Sequence, residues 1–202
     1  IDYNLEELNT IISPMKKCNI TQYHRNKMEF SFSKKENTLI LGLKEKNSFD
    51  KVIKVTDCKL LSKESNEFLK FTTDYFSKKK DCDLWDSRLQ QGCLSHLAIR
   101  HSKAFDKYMI SIKAHHYKEY FHDYAKKLTT KYKNIISVNL ILINEKKGSP
   151  TTTKCINLIG EKTIEEKIGN LIFSISPLSF FQTNTNQTKI LYDTVKELAE
   201  IN

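Results

Sequence analysis

Four stretches of this chain alternate apolar and polar residues with a period of two, and that pattern constrains the fold more than any other feature. Met28, Phe30 and Phe32 alternate with Glu29, Ser31 and Ser33; then come Leu39, Leu41 and Leu43, Tyr108, Ile110 and Ile112, and Val138, Leu140 and Leu142. Successive side chains of a strand point to opposite faces, so each stretch presents one face to a core and one away from it. Polar turn material around Asn37 joins the first two into a hairpin. Val52, Ile53 and Val55 suggest a further short strand. Leu94, Leu97 and Ile99 suggest another, entered through a tight turn at Gly92. A turn over Glu145–Pro150 leads into a return strand with Cys155, Asn157 and Ile159. Leu171 to Ile175 reads as the end of a buried strand, broken by Ser176-Pro177 because proline offers no N–H to a ladder.

Helical spacing appears between these strands. Leu5, Leu8, Ile11 and Ile12 predict a short first helix. Phe68, Phe71 and Tyr75, with Leu69 and Phe76 beside them, predict a second, capped by Ser62 or Ser65. Tyr117, Tyr120, Phe121, Tyr124 and Leu128 mark a third with lysines opposite. Ile190, Leu191, Val195, Leu198 and Ile201 mark a last one, preceded by Asn184, Thr185 and Asn186, each a competent N-cap. The expected fold is α+β: a mainly antiparallel sheet with three or four helices.

The formal net charge is +9, which favours a polyanionic partner, nucleic acid first and a membrane surface second. Of the 33 basic residues only Arg25, Arg88 and Arg100 are arginine, leaving 30 lysines. In so lysine-biased a chain, a retained arginine suggests a use for its planar fork on phosphate, carboxylate or a base. A buried arginine–carboxylate pair would account for it equally well. The five cysteines are widely spaced and no Cys-x-x-Cys occurs, so no zinc ribbon or iron–sulfur cluster is expected. Free thiols fit a reducing, intracellular compartment, cytoplasmic or nuclear, with an organelle also open. His115, His116 and His122 lack a carboxylate or Cys at a matching spacing, so no metal is expected. No apolar run approaches the roughly 20 residues of a membrane span.

Three segments carry more specific information. Ser179-Phe180-Phe181-Gln182-Thr183-Asn184 puts an amide and two aromatics on a short connection at a helix N-terminus, where a flat ligand could be held. A buried Phe pair with Gln182 satisfying loop backbone is the competing reading. Tyr23-His24-Arg25-Asn26-Lys27-Met28-Glu29-Phe30 sets a basic cluster at a strand start, and Gly92-Cys93-Leu94-Ser95-His96-Leu97-Ala98-Ile99-Arg100 sets His96 and Arg100 on one strand face. These segments resemble those of the S-adenosylmethionine-dependent RNA uracil-C5 methyltransferases. His24 is inserted relative to the shortest form of the family's Tyr-Arg-Asn-Lys pattern. Ser95 stands where many relatives have arginine.

The resemblance covers most of residues 18–202. It implies a central α+β RNA-contacting domain over residues 1–176. Residues 177–202 would open a Rossmann-like methyltransferase domain with its first helix. In the family the glycine-rich cofactor loop, the nucleophilic Cys and the proton-abstracting Glu follow the Phe-Phe-Gln segment. None of the five glycines here lies near another, and no Asp-Pro-Pro precedes a cysteine. The resemblance therefore implies a parent enzyme, a chain truncated before that loop, no catalytic residue within it, and no activity of its own. Gln182 is the implied cofactor contact, while Arg25, Lys27, His96, Arg100, Phe180 and Phe181 are the implied contacts to RNA and its flipped uridine. The implied substrate is the T-loop uridine of tRNA, with ribosomal RNA as the other option. A non-catalytic basic RNA-binding module sharing the fold is the rival reading.

Overall fold

A computed structural model describes residues 12–48, 51–144 and 152–200. The expected first helix and the Glu145–Pro150 turn lie outside the described residues, apart from Ile12. Among the described residues, nine strands and three helices follow in the order β1 (Lys27–Lys35), β2 (Thr38–Lys44), β3 (Val52–Lys54), α1 (Glu64–Phe76), β4 (Leu94–Ser102), β5 (Lys107–Ala114), α2 (Tyr120–Lys131), β6 (Ile135–Asn144), β7 (Thr152–Gly160), β8 (Ile164–Ile168), β9 (Leu171–Ile175) and α3 (Thr185–Leu198). Seven strands form one sheet in the order β3-β2-β1-β4-β5-β6-β7. Every pairing in it is antiparallel except β5–β6, the pair that α2 connects. The fold is therefore α+β with a mainly antiparallel sheet, as the alternating pattern requires.

The period of two sorts the sheet's faces. Phe30, Phe32, Leu97, Ile99, Tyr108, Ile110, Val138 and Leu140 bury together with Phe68, Phe76, Phe121, Tyr124 and Leu128 of α1 and α2 in a single core. The aromatic pairs meet edge to face, as ring quadrupoles prefer: Phe32 with Phe76 at 5.7 Å, and Phe68 with Tyr108 at 4.9 Å. Two hydroxyls reach partners inside it, with Tyr124 Oη 2.7 Å from Thr72 Oγ1 and Tyr75 Oη donating to Tyr120 O. Neither expected serine caps α1. Ser62 Oγ instead accepts from Tyr108 Oη at 2.8 Å and meets Ser65 Oγ at 2.7 Å, and Ser65 lies inside the first turn.

Gly92 has φ +99° and an added Cβ would collide with the Leu84 carbonyl. Only a residue lacking a side chain fits there without strain.

One strand departs from expectation. Leu171, Ile172 and Phe173 of β9 are exposed or nearly so, because β9 pairs only with β8 in a two-stranded sheet that stands apart from the main one. Its buried apolar anchor is the contact of Ile164 and Ile175 with Met109, Ile136 and Phe181. Asn184 caps α3 as expected, its side chain accepting from Gln187 N. The apolar stripe of α3 faces outward: Leu191, Val195 and Leu198 are 46%, 52% and 80% exposed. Among the described residues no helix is long and apolar enough to cross a membrane.

Candidate functional site

The sheet face opposite α1 and α2 is polar, and its register can be read across four strands. One row runs Lys27, Arg100, Met109 and Ser137; the next Glu29, Ala98, Ser111 and Asn139; the next Ser31, His96, Lys113 and Ile141. His96 and Arg100 thus share a face, two rows apart. Like charges directly opposite one another weaken a ladder, yet Lys27 and Arg100 are cross-strand partners. Burial first, and then the Arg100 cation, holds Lys27 below the usual lysine range. Lys113 pairs with Glu29 at 2.7 Å in the adjoining rows.

The β8–β9 hairpin and the segment 176–184 close one end of this face. Asn26, 1% exposed, ties that segment to the sheet. Its backbone N–H donates to Thr183 O at 2.6 Å, and its Nδ2 donates to Gln182 O at 2.8 Å and Thr185 Oγ1 at 2.9 Å. Its carbonyl accepts from His101 N of β4 at 2.8 Å. Arg100 Nη2 donates to Ser179 O at 2.7 Å. The buried carboxylate of Glu166 accepts from the backbone N–H groups of Lys103, Ala104 and Lys167 and from Thr185 Oγ1.

The expected site residues separate into three groups. Arg25 and Lys27 are half-buried at the sheet's edge of this junction; the Arg25 N–H donates to Leu60 O, and its Nη1 lies 3.5 Å from Met28 Sδ. Arg100 is not a surface group: it is 4% exposed, and desolvation pushes its pKa down to about 10. A carbonyl 79 residues along the chain covers it, and no carboxylate pairs with it among the described residues. The two phenylalanines part company. Phe180 is 83% exposed, whereas Phe181 packs edge to face on Phe173 at 5.7 Å and joins the small cluster around Met109.

Gln182 offers its carbonyl to Asn26 and lines an open groove of about 430 Å³ along α3, with Asn184, Gln187, Thr188, Leu191 and Lys16. Amides, hydroxyls and aliphatic groups alternate there, a donor set that suits a ligand with polar ends and an apolar middle. It holds no acid–base pair.

Sequence reasoning missed the other end of the polar face. There Trp85 and His115 stack with ring centroids 3.4 Å apart and planes 7° from parallel. They line an open groove of about 720 Å³ with Lys44, Arg88, Ser33 and His96. Trp85 and His115 lie 30 residues apart in sequence, and no local spacing announces the pair. His115 is thus one half of an aromatic stack.

No family model matches this chain. Curated proteins do. An uncharacterized RNA methyltransferase of Oceanobacillus iheyensis is 31% identical over 180 residues, covering 89% of this chain and 39% of that protein. One of Nanoarchaeum equitans is 32% identical over 187 residues, with the same coverage of each. The chain thus spans about two fifths of the length of these relatives. Among solved structures, the tRNA (uracil-54, C5)-methyltransferase of Pyrococcus abyssi, in complex with S-adenosyl-L-homocysteine, superposes with a TM-score of 0.68 at 22% identity, over 89% of this chain and 42% of that one; this likeness concerns the fold. By these relatives, and with a fold that agrees, the chain is related over 89% of its length to proteins named as RNA methyltransferases.

Proposed function

We propose that residues 1–176 form the RNA-contacting domain of a tRNA uracil-C5 methyltransferase and that residues 177–202 begin its methyltransferase domain. The observation that carries this reading is the junction itself. An exposed aromatic, Phe180, and the groove-lining Gln182 sit on one short segment, bonded to a polar sheet face beside the Lys27–Arg100 pair. In this reading Arg25 and Lys27 supply positive potential to the phosphate backbone, which positions RNA without specifying sequence, while the buried Arg100 holds the segment through Ser179 O. Phe180 stacks on a base, and Phe181 backs it from the hairpin side. His96 lies at the far end of the same face, in the groove with the Trp85–His115 stack, where an RNA strand leaving Phe180 would pass.

Gln182, Asn184 and Gln187 would hold one side of S-adenosylmethionine, which supplies the methyl group when bound. The family's chemistry needs a thiolate to add to the uracil ring and a base to remove a proton. Four of the five cysteines of this chain suit the first role poorly. Cys58 and Cys93 are buried, and burial raises the thiols of Cys82, Cys93 and Cys155, which opposes thiolate formation. In this reading the chain alone is inactive and binds the cofactor weakly.

Titrating the chain with a tRNA T-arm hairpin at several salt concentrations tests the RNA assignment. Binding with a steep salt dependence, stronger than to a ribosomal RNA hairpin of equal length, supports it. Equal or reversed preference moves the substrate to ribosomal RNA, and no binding to either refutes the RNA face. Calorimetry with S-adenosylmethionine giving micromolar affinity for this chain would refute the divided cofactor site.

A further inference from the structure

We propose that Asn26 is a positioning residue that sets where the Phe180–Gln182 segment stands over the sheet; this rests on the reading that Phe180 meets RNA. The argument begins from what Asn26 touches. It is 1% exposed and sits one residue before β1. Its four hydrogen bonds divide between two bodies. The carbonyl faces β4 through His101 N, while the backbone N–H and Nδ2 face Thr183 O, Gln182 O and Thr185 Oγ1. The three groups bound on the second side fall within four consecutive residues, Gln182 to Thr185, the turn between the Phe pair and the first turn of α3.

The apolar packing of this segment cannot do the same work. Phe180 is 83% exposed and Leu178 51%, so of the aromatic pair only Phe181 is seated. A segment with so little burial takes its position from its polar contacts. Arg100 Nη2 on Ser179 O holds the upstream end, and Asn26 holds the downstream end, so that Phe180 and Gln182 lie on a span fixed at both sides. Only a side chain that donates twice from one nitrogen serves here. Aspartate has the same shape, but as a carboxylate it turns an acceptor toward the Gln182 carbonyl. That explains an asparagine between two cations, a place where residue type alone suggests only another surface contact.

Asn26→Asp is the test, made in the 202-residue chain with Asn26→Ala alongside in case the aspartate variant does not fold. Two readouts are taken. Hydrogen exchange at the Ser179, Gln187 and Thr188 amides should quicken by about tenfold or more, the loss of one to two such bonds, while β4 and β5 amides keep their protection. Affinity for the T-arm hairpin should fall by about tenfold in Asn26→Asp, and by less than about twofold further when Asn26→Asp is added to Phe180→Ala, because both changes act through one group. Unchanged exchange at those amides overturns the proposal. So does exchange that quickens equally in β4 and β5, which would make Asn26 a general stabiliser, or additive losses of affinity in the double variant. If Phe180→Ala alone leaves affinity unchanged, the RNA reading fails, and the exchange data still decide whether Asn26 sets the segment.

Discussion

Replacing Arg100 with methionine should separate stability from function. The guanidinium is 4% exposed, and desolvation lowers its pKa from the usual arginine range to about 10. At 1.36 kcal/mol per pH unit that fall is about 3 kcal/mol of penalty on the charged form. A base whose folded pKa is depressed binds fewer protons folded than unfolded between the two values, so the penalty is full below pH 10 and relieved only above it. It therefore operates throughout any practical assay. Against it stands one charged hydrogen bond to Ser179 O, worth about 1.5–3 kcal/mol. A second nitrogen, Nη1, is buried without a hydrogen-bond partner among the described residues, and Lys27 lies directly across the ladder. Methionine fills similar volume, removes the penalty and the repulsion, and loses the bond. The terms nearly cancel, so the melting temperature of Arg100→Met should stay within about 4 °C of the parent, the shift expected for about 1 kcal/mol at this size. Hairpin affinity, measured by fluorescence anisotropy, should fall about tenfold through the loss of the bond that holds the Phe180 segment, with its salt dependence unchanged, since Arg100 is not itself a phosphate contact. A melting temperature more than about 10 °C lower, with affinity intact, would mean that the arginine is a net structural clamp and that the balance above has the wrong sign.

Phe180→Ala should leave thermal stability within about 0.5 kcal/mol, since the ring is mostly in solvent, yet cost about 1–3 kcal/mol of RNA affinity by titration. Gly92→Ala forces a Cβ into the Leu84 carbonyl at positive φ, so chemical denaturation should show a loss of more than about 1 kcal/mol, and the fluorescence of Trp85 next to that carbonyl should change. His101 is held below the usual histidine pKa by burial, partly offset by its hydrogen bond to Asp106. The unfolded state therefore takes up the proton first, and stability should fall as pH drops below about 6.5. Melting curves from pH 7 to pH 5 should show a smaller decline in His101→Gln; an equal decline would place the acid sensitivity elsewhere.

Local pattern reached the elements whose stabilising partners lie close in sequence or repeat with a regular period. The β1–β2 hairpin, the aromatic stripe of α1 and the Asn184 cap are all of this kind. It failed where the partner is distant. Asn26 reads as a polar residue between two cations, and its meaning depends on groups 156 to 159 residues away. Arg100 reads as a phosphate contact until the Ser179 carbonyl is found over it. The Leu171–Ile175 run is apolar enough for a core strand, yet it pairs into a separate hairpin and remains open on one side. Glu166 follows Glu165 and looks like any solvated acid. Alternation within β8 is the only local sign that one of the two turns inward.

The carboxylate of Glu166 gives the detached hairpin an unusual mechanical standing. It receives N–H groups from the β4–β5 turn, from its own strand, and a hydroxyl from the first residue of α3, while three apolar residues make up the buried contact beneath it. Lifting the hairpin thus strips the β4–β5 turn and the start of α3 of an acceptor in the same event. These three pieces should open and close as one cooperative unit, at a free energy below that of global unfolding. A motion that admits a large RNA between the hairpin and the sheet would then also loosen the helix start beside Gln182, so that arrival of one ligand is felt mechanically at the place where the other is held.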